Sequence, residues 1–383
     1  MSEAATTIPV DRMARALYAL LDLSKALGSE LDLSALRTVI TEKASAVVDA
    51  ERTRFFAPDE LPPGLPTDRL VNGGASMSAP IFDSAGELLG VVESTSKTRG
   101  GQFDADDESL MAAIASHVAV AMERARLTSA FLEHERFSEA LKLASDIQMR
   151  MLPAAAVSAG EDAPFDLHAY IRPAKMVGGD LYDFALSGDR LYFCVGDVSG
   201  KGIGSALVMA LTKTLFRANL PYFDDAARLT NAVNVRLCED TGPTIFVTAF
   251  CGFLDVTTGV LRFCNAGHDR PFILREDGSA ELLQSKPGLA LGVMPAFQYP
   301  LQEITLAKGE ALFLYTDGVT EASNGSDELF AVDRLQEALE QNGLASALRL
   351  IAGVTESIES FVKGAPQSDD LTMMCVRYRG ARR

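Results

Sequence analysis

The residues of this sequence best placed to do chemistry are aspartates, and they recur at the ends of apolar runs, most often beside glycine. Asp180 closes Val177-Gly-Gly-Asp180 and precedes Leu181-Tyr-Asp-Phe184. Asp197 follows Leu191-Tyr-Phe-Cys-Val-Gly196 and opens Asp197-Val-Ser-Gly-Lys-Gly202. Asp317 follows Ala311-Leu-Phe-Leu-Tyr-Thr316 and is followed by Gly318; Asp369 and Asp370 stand directly before Leu371-Thr-Met-Met-Cys-Val376. One aspartate beside glycine is ordinary turn chemistry. Four such places suggest strand ends that meet at one sheet edge. Converging carboxylates repel and raise one another's pKa unless cations neutralise them. Mg²⁺ or Mn²⁺ suits such a set, because both accept hard oxygen ligands in octahedral geometry. The neighbouring glycines would let a backbone carbonyl approach as a further ligand. Only four histidines occur (His117, His134, His168 and His268), and no two of the five cysteines form a C-x-x-C pair, so zinc fits poorly. Gly196-Asp-Val-Ser-Gly-Lys-Gly202 is not a phosphate-binding P-loop, which needs four residues between its glycines and Ser or Thr after Lys.

These aspartates need a β-rich frame. Strands are expected at 167–171, 191–196, 245–254, 260–264, 271–274, 311–316 and 371–377, with helices near 204–218, 224–238, 332–340 and 344–361. Strands in runs with helices in pairs give an α+β class, sheets packed on each other and covered by helices. Upstream, helices are expected at 11–27 and 33–48, the second capped by Asp32. A hairpin turns at Asp83-Ser-Ala-Gly86. From Gln102 to Leu152 there is neither Gly nor Pro, and Pro153 follows. That stretch is expected to be one long helix capped by Asp104. Its stripe of Phe137, Leu141, Ala144, Ile147 and Met151 suggests a dimeric coiled-coil connector.

Length and composition fit this division. At 383 residues the chain has room for two domains and a connector. A net charge of −17 makes nucleic acid and anionic membrane poor partners. The longest apolar stretch, Met111–Met122, is too short to span a bilayer, and Met-Ser-Glu-Ala at the start is unlike a signal peptide. A cytoplasmic location is expected, with the cysteines serving as small core residues.

With these residues in view, Arg172-Pro-Ala, Val177–Phe184, Gly196–Gly202, Phe246-Val-Thr, Asn265-Ala-Gly-His268, Leu314–Glu321 and Pro366–Thr372 occur in an order that resembles the bacterial branch of the metal-dependent protein phosphatase 2C family, typified by sporulation stage II protein E and the stress-response sigma-factor regulators. The segment Ala144–Pro153 also resembles the helix that leads into this domain in the family. The resemblance implies an αββα sandwich with two Mn²⁺ or Mg²⁺ ions at the sheet edge. Asp180 and Asp197 would bind or bridge them, with the Val198 carbonyl as a further ligand. Asp317 and Asp369 would complete the site, with Asp370 beside them. A water activated by the two metals would then attack a phosphoserine or phosphothreonine phosphorus in line. The family's eukaryotic members hold phosphate with an Arg close to the metals; here Arg172, Lys175 and Lys201 are the candidates. Asn265 and His268 are read as a structural turn, and Asp183 as a supporting acid.

Residues 11–127 resemble a GAF sensory domain, through the N-terminal helices, the hairpin Pro80–Val92 and Phe103–Glu108 leading into the exit helix. The stretch between the strand at Phe55 and the strand at Ala79 is short where the family encloses a ligand, so dimerisation or partner docking is the expected role. The organisation read from sequence is therefore a GAF-like sensory or dimerisation domain at 1–127, a helical linker at 128–152 and a metal-dependent phosphatase domain at 153–383. The implied substrate is a phosphorylated anti-sigma-factor antagonist, and the expected assembly a homodimer. The rival reading is a pseudophosphatase that serves as a binding scaffold; against it, all four metal positions carry carboxylates.

Overall fold

The computed structural model describes residues 10–154, 156–157, 163–242, 244–286, 288–343 and 345–380. The start of the chain, on which the leader expectation rests, and Leu344, the expected start of the last helix, lie outside the described residues. The chain forms two compact units, Met1–Ser138 and Glu139–Arg383, so the division falls inside a helix.

The first unit opens with helices α1 (Val10–Ser29) and α2 (Leu33–Val47). Asp32 caps α2 as its side chain accepts from Ser34 N and Ala35 N, both at 2.9 Å. Strands β1 (Ala50–Phe56), β2 (Val71–Asn72), β3 (Ser76–Phe82) and β4 (Leu88–Lys97) form an antiparallel sheet in the order β1-β4-β3-β2. The β3–β4 turn holds because Asp83 Oδ1 accepts from Ala85 N and Glu87 N while Gly86 takes a φ of +84°. Helix α3 runs Ala105–Met151. Asp104 and Asp107 exchange backbone-to-carboxylate bonds of 3.0 Å at its start, and Lys97 pairs with Asp107 beneath them. One sheet face packs Phe55, Met77, Ala79, Ile81 and Val92 against Leu23, Leu36, Ile40, Ile114 and Val118 of the helices.

In the second unit β5 (Ala156–Val157), β6 (Phe165–Arg172), β7 (Leu181–Ser187), β8 (Arg190–Val198), β9 (Val247–Asp255), β10 (Val260–Ala266), β11 (Phe272–Leu274), β12 (Ala280–Leu282), β13 (Gln302–Thr305), β14 (Ala311–Tyr315) and β15 (Leu371–Tyr378) make two sheets. Their orders are β13-β10-β9-β8-β7 and β12-β11-β14-β15-β6-β5. Helices α4 (Ile203–Asn219) and α5 (Ala226–Asp240) precede β9; α6 (Asp317–Thr320), α7 (Ala331–Asn342) and α8 (Ala347–Val362) lie between β14 and β15.

Strand alternation explains the layers. On β8, Leu191, Phe193 and Val195 face the other sheet, where they meet Leu312, Leu314, Met374 and Val376. Tyr192 and Cys194 face the opposite way, toward Met209 and Phe216 of α4 and Leu229 and Val233 of α5. The second sheet does the same, with Phe313, Tyr315 and Met373 packing on Leu335, Leu350 and Val354 of α7 and α8. The result is four layers, helix–sheet–sheet–helix. Phe250 stacks between Phe193 and Phe263, at centroid distances of 6.4 and 5.1 Å, in the middle of the sandwich. The cysteines are free, and Cys194, Cys251 and Cys264 lie side by side across β8, β9 and β10 in the core. Among the described residues no helix is long and apolar enough to cross a membrane.

Candidate metal centre

Each expected aspartate has its own strand or loop to place it. Asp180 ends the loop before β7, Asp197 sits near the end of β8, Asp317 opens α6 after β14, and Asp369 with Asp370 leads into β15. Strand pairing brings these segments together: Leu181 pairs with Gly196, Leu371 pairs with Arg172, and Thr316 N donates to Thr372 O at 3.1 Å. Asp197, Asp317 and Asp369 line one cleft of about 400 Å³ with Val198, Lys201 and His268. Asp180 lies beneath, only 2% exposed.

The electrostatics are those of crowded anions. Burial first, and then the Asp197 charge, hold the Asp180 carboxyl well above the usual range. Burial followed by the Asp317 charge pushes Asp197 up as well. Burial and then Glu321 push Asp317 to about 6. Thr316 Oγ1 donates to Asp180 Oδ2 at 2.8 Å and accepts from Thr372 N at 3.1 Å, tying the buried acid to two strands.

Close approach of the backbone completes the arrangement. A Cβ on Gly179 would sit 2.9 Å from the Val198 carbonyl oxygen and 3.4 Å from Asp197 Oδ1, so only glycine lets this loop pass the two. Asp370 Oδ1 accepts from Ala174 N at 2.8 Å and its Oδ2 accepts from Gly179 N at 2.7 Å. Both of its oxygens therefore clasp the 174–179 loop. The donor set of carboxylates and one carbonyl is hard and anionic, and it fits Mg²⁺ or Mn²⁺. Among the described residues no group of three or more Asp, Glu, His or Cys is drawn around one point at metal-ligand spacing. Asp369 is held by Lys201 Nζ at 2.8 Å, and Asp370 by the backbone amides.

The supporting residues fall into place around this edge. Asn265 brackets the Gly267 turn, its Nδ2 donating to His268 O at 2.9 Å and its Oδ1 accepting from His268 N at 2.8 Å. The His268 ring meets Thr248 Oγ1 at 3.1 Å, and burial lowers its pKa to about 4. At neutral pH it is an uncharged structural imidazole. Asp183 is buried and paired with Arg217 of α4. Arg172 pairs with Glu359 at 3.0 Å, and Lys175 lines a narrow neighbouring cleft. Gln148 escaped the sequence reading. It reaches from α3 to the loop that carries Asp180, bonding both backbone groups of Gly178. Its signal was its place inside the Ala144–Pro153 segment that resembles the family's entry helix. Thr316 and Glu321 lie inside the Leu314–Glu321 motif without a role that the sequence assigns them, and Arg217 and the cleft acid Asp269 carried no local signal.

A helix–sheet–sheet–helix sandwich with an acidic edge defines the protein phosphatase 2C type of fold. Residues 187–379 match the Stage II sporulation protein E (SpoIIE) family, and the chain belongs to that family. Residues 10–122 match the GAF domain. The chain is similar to Protein IcfG of Synechocystis sp. (strain ATCC 27184 / PCC 6803 / Kazusa), 32% identical over 269 residues, which are 62% of this chain and 41% of that protein. It therefore spans about two-fifths of that relative's length. It is also similar to Phosphoserine phosphatase RsbU of Bacillus subtilis (strain 168), 25% identical over 240 residues, 62% of this chain and 70% of that protein. Among solved structures, the SiaA-PP2C domain of Pseudomonas aeruginosa superposes with a TM-score of 0.57 at 22% identity, covering 64% of this chain and 98% of that domain. That likeness is one of fold.

Proposed function

We propose that this chain is a Mn²⁺- or Mg²⁺-dependent serine/threonine protein phosphatase. The observation that carries the reading is the meeting of Asp180, Asp197, Asp317 and Asp369 at one sheet edge in a chain of the SpoIIE family. Asp180, Asp197, Asp317, Asp369 and the Val198 carbonyl would hold two ions. When bound, two such ions supply an activated water for in-line attack on phosphorus and neutralise charge in the transition state. The chain's own residues set the geometry. Thr316 orients Asp180, Asp370 and Gln148 fix the loop that carries it, and neutral His268 holds the turn facing the cleft.

Similarity to the phosphoserine phosphatase RsbU supports a phosphoprotein substrate, and an anti-sigma-factor antagonist is the proposed class. The proposed organisation remains a GAF-like domain at 1–127, a linker at 128–152 and the phosphatase domain at 153–383, in a cytoplasmic homodimer. The dimer is supported by α3, where Phe137 and Ile147 are 58% and 56% exposed on the apolar stripe.

The test is hydrolysis of p-nitrophenyl phosphate and of a phosphorylated anti-sigma-factor antagonist with Mn²⁺, by wild type and Asp197→Asn, each with and without EDTA. Turnover that needs metal and is lost in the variant is the expected result. Turnover that survives EDTA or the substitution would overturn it.

A further inference from the structure

We propose that Lys201 is the side chain that positions the substrate's phosphate. The inference rests on the metal-dependent reading above and assigns the basic group that reading needs. Three bases were in contention. Arg172 lines neither cleft, and Lys175 lines only the narrow one beside Gly178 and Gly179. Lys201 lines both that cleft and the larger one that holds Asp197, Asp317 and Asp369, and among the described residues it is the lysine or arginine the two share.

Its partners are Asp369 Oδ2 at 2.8 Å and Ser368 O at 2.9 Å. The Lys201 side chain is 47% exposed and Asp369 29% exposed, so this ion pair is of the half-solvated kind that contributes little and exchanges readily. The loop around it is permissive. Gly200 and Gly202 flank Lys201 at φ +88° and +95°, and no heavy atom lies within 4 Å of where either Cβ would stand. The larger cleft is lined by five carboxylates, from Asp197, Asp269, Asp317, Glu321 and Asp369. A phosphate monoester dianion entering such a place needs compensating positive charge beyond what the carboxylates themselves consume. Lys201 supplies it as a compact ammonium with three donors, once Asp369 takes a cation instead.

The experiment uses the full chain with Lys201→Gln and Lys201→Arg. It measures Mn²⁺ affinity by calorimetry, competitive inhibition by inorganic phosphate, and KM and kcat for p-nitrophenyl phosphate. In Lys201→Gln, inhibition by phosphate is expected to weaken roughly tenfold or more. KM should rise with it and kcat change less. Mn²⁺ affinity should stay equal or tighten, because a competitor for Asp369 is gone. Lys201→Arg should restore most of the phosphate affinity. Unchanged phosphate inhibition with normal Mn²⁺ binding overturns the assignment alone. Weakened Mn²⁺ binding in both variants also overturns it, since that marks a structural strap to residue 368. Wild type that fails to bind Mn²⁺ overturns the metal-dependent reading itself, and the assignment falls with it.

Discussion

Gln148 and Gly178 hold each other by two hydrogen bonds: Gln148 Nε2 donates to Gly178 O at 2.7 Å, and Gly178 N donates to Gln148 Oε1 at 3.0 Å. Both groups are buried, and Gly178 lies two residues before Asp180. A side-chain amide can satisfy a backbone donor and acceptor together, which no aliphatic residue at this position could do. Gln148→Ala would leave both Gly178 groups without their partner, at a cost of about 1–3 kcal/mol for each unmet group. Urea denaturation should show the loss, and Mn²⁺ affinity should fall because the Asp180 loop loses its anchor. Gln148→Glu keeps the acceptor and should recover only part of it.

A second prediction concerns the glycines that let Asp370 in. A Cβ on Gly318 would stand 1.8 Å from the Asp370 carbonyl oxygen, a backbone atom that cannot turn aside. A Cβ on Gly178 would stand 2.3 Å from Asp370 Oδ2, which can rotate only by releasing its amide partners. Gly318→Ala should therefore be the more damaging, dropping out of two-state melting or losing Mn²⁺ binding, while Gly178→Ala should fold with weakened metal affinity. Equal behaviour of the two would argue against the clasp.

The crowded carboxylates make stability depend on pH in a definite direction. An aspartate raised in the fold stays protonated while its unfolded counterpart ionises, so stability falls as pH rises from the unfolded value toward the folded one. Asp317 defines a window from about 4 to about 6, with Asp180 and Asp197 extending it upward. In EDTA, the melting temperature should fall across this window. With Mn²⁺ the fall should shrink, and the stabilisation by metal should grow with pH. A melting temperature in EDTA that rises steadily over the same range would contradict the shifts.

Thr316 offers a test confined to one hydroxyl. Thr316→Val leaves the buried Asp180 with one donor fewer and the Thr372 amide without its acceptor. The expected cost is about 1–3 kcal/mol. Thr316→Ser should restore most of it, as measured by chemical denaturation.

The apolar stripe of α3 gives a prediction about assembly. Leu141→Gln with Ile147→Gln should lower the dimer fraction in analytical ultracentrifugation if the stripe is a seam between two chains. A monomeric wild type, or a variant with unchanged mass, would remove the coiled-coil proposal and leave the metal site untouched.

Much of the second unit was legible because its strands are buried on both faces or alternate cleanly, as on β8, and because its helices carry regular apolar spacing. The seven strands and four helices expected there lie within a few residues of those observed. Strand β7 was missed. Leu181-Tyr-Asp-Phe184 reads as a motif in sequence, and as an edge strand it depends on pairing with β8 that no local pattern announces. The short strands β12 and β13 were missed for the same reason. The aspartates were legible by type and by their place at strand ends. What tunes them was not: Gln148, Thr316 and Arg217 act across gaps of thirty residues or more, and their partners are defined only once the sheets stack. Sequence set Asp370 beside the ligands but gave no hint that its two oxygens accept from the loop amides of Ala174 and Gly179.

The pairing of β15 with β6 joins Leu371 to Arg172, about two hundred residues apart in sequence, and Asp369 rides at the head of that strand. Such a pairing must close a large loop before it gains anything, which places it among the slow events of folding. Asp197 and Asp369 thus come to line one cleft only when the most distant strand pairing of the sandwich is made. A refolding chain mixed with Mn²⁺ should acquire ion affinity in its final kinetic phase, after helix formation is complete. The site would then serve as a clock for the last step of its own assembly.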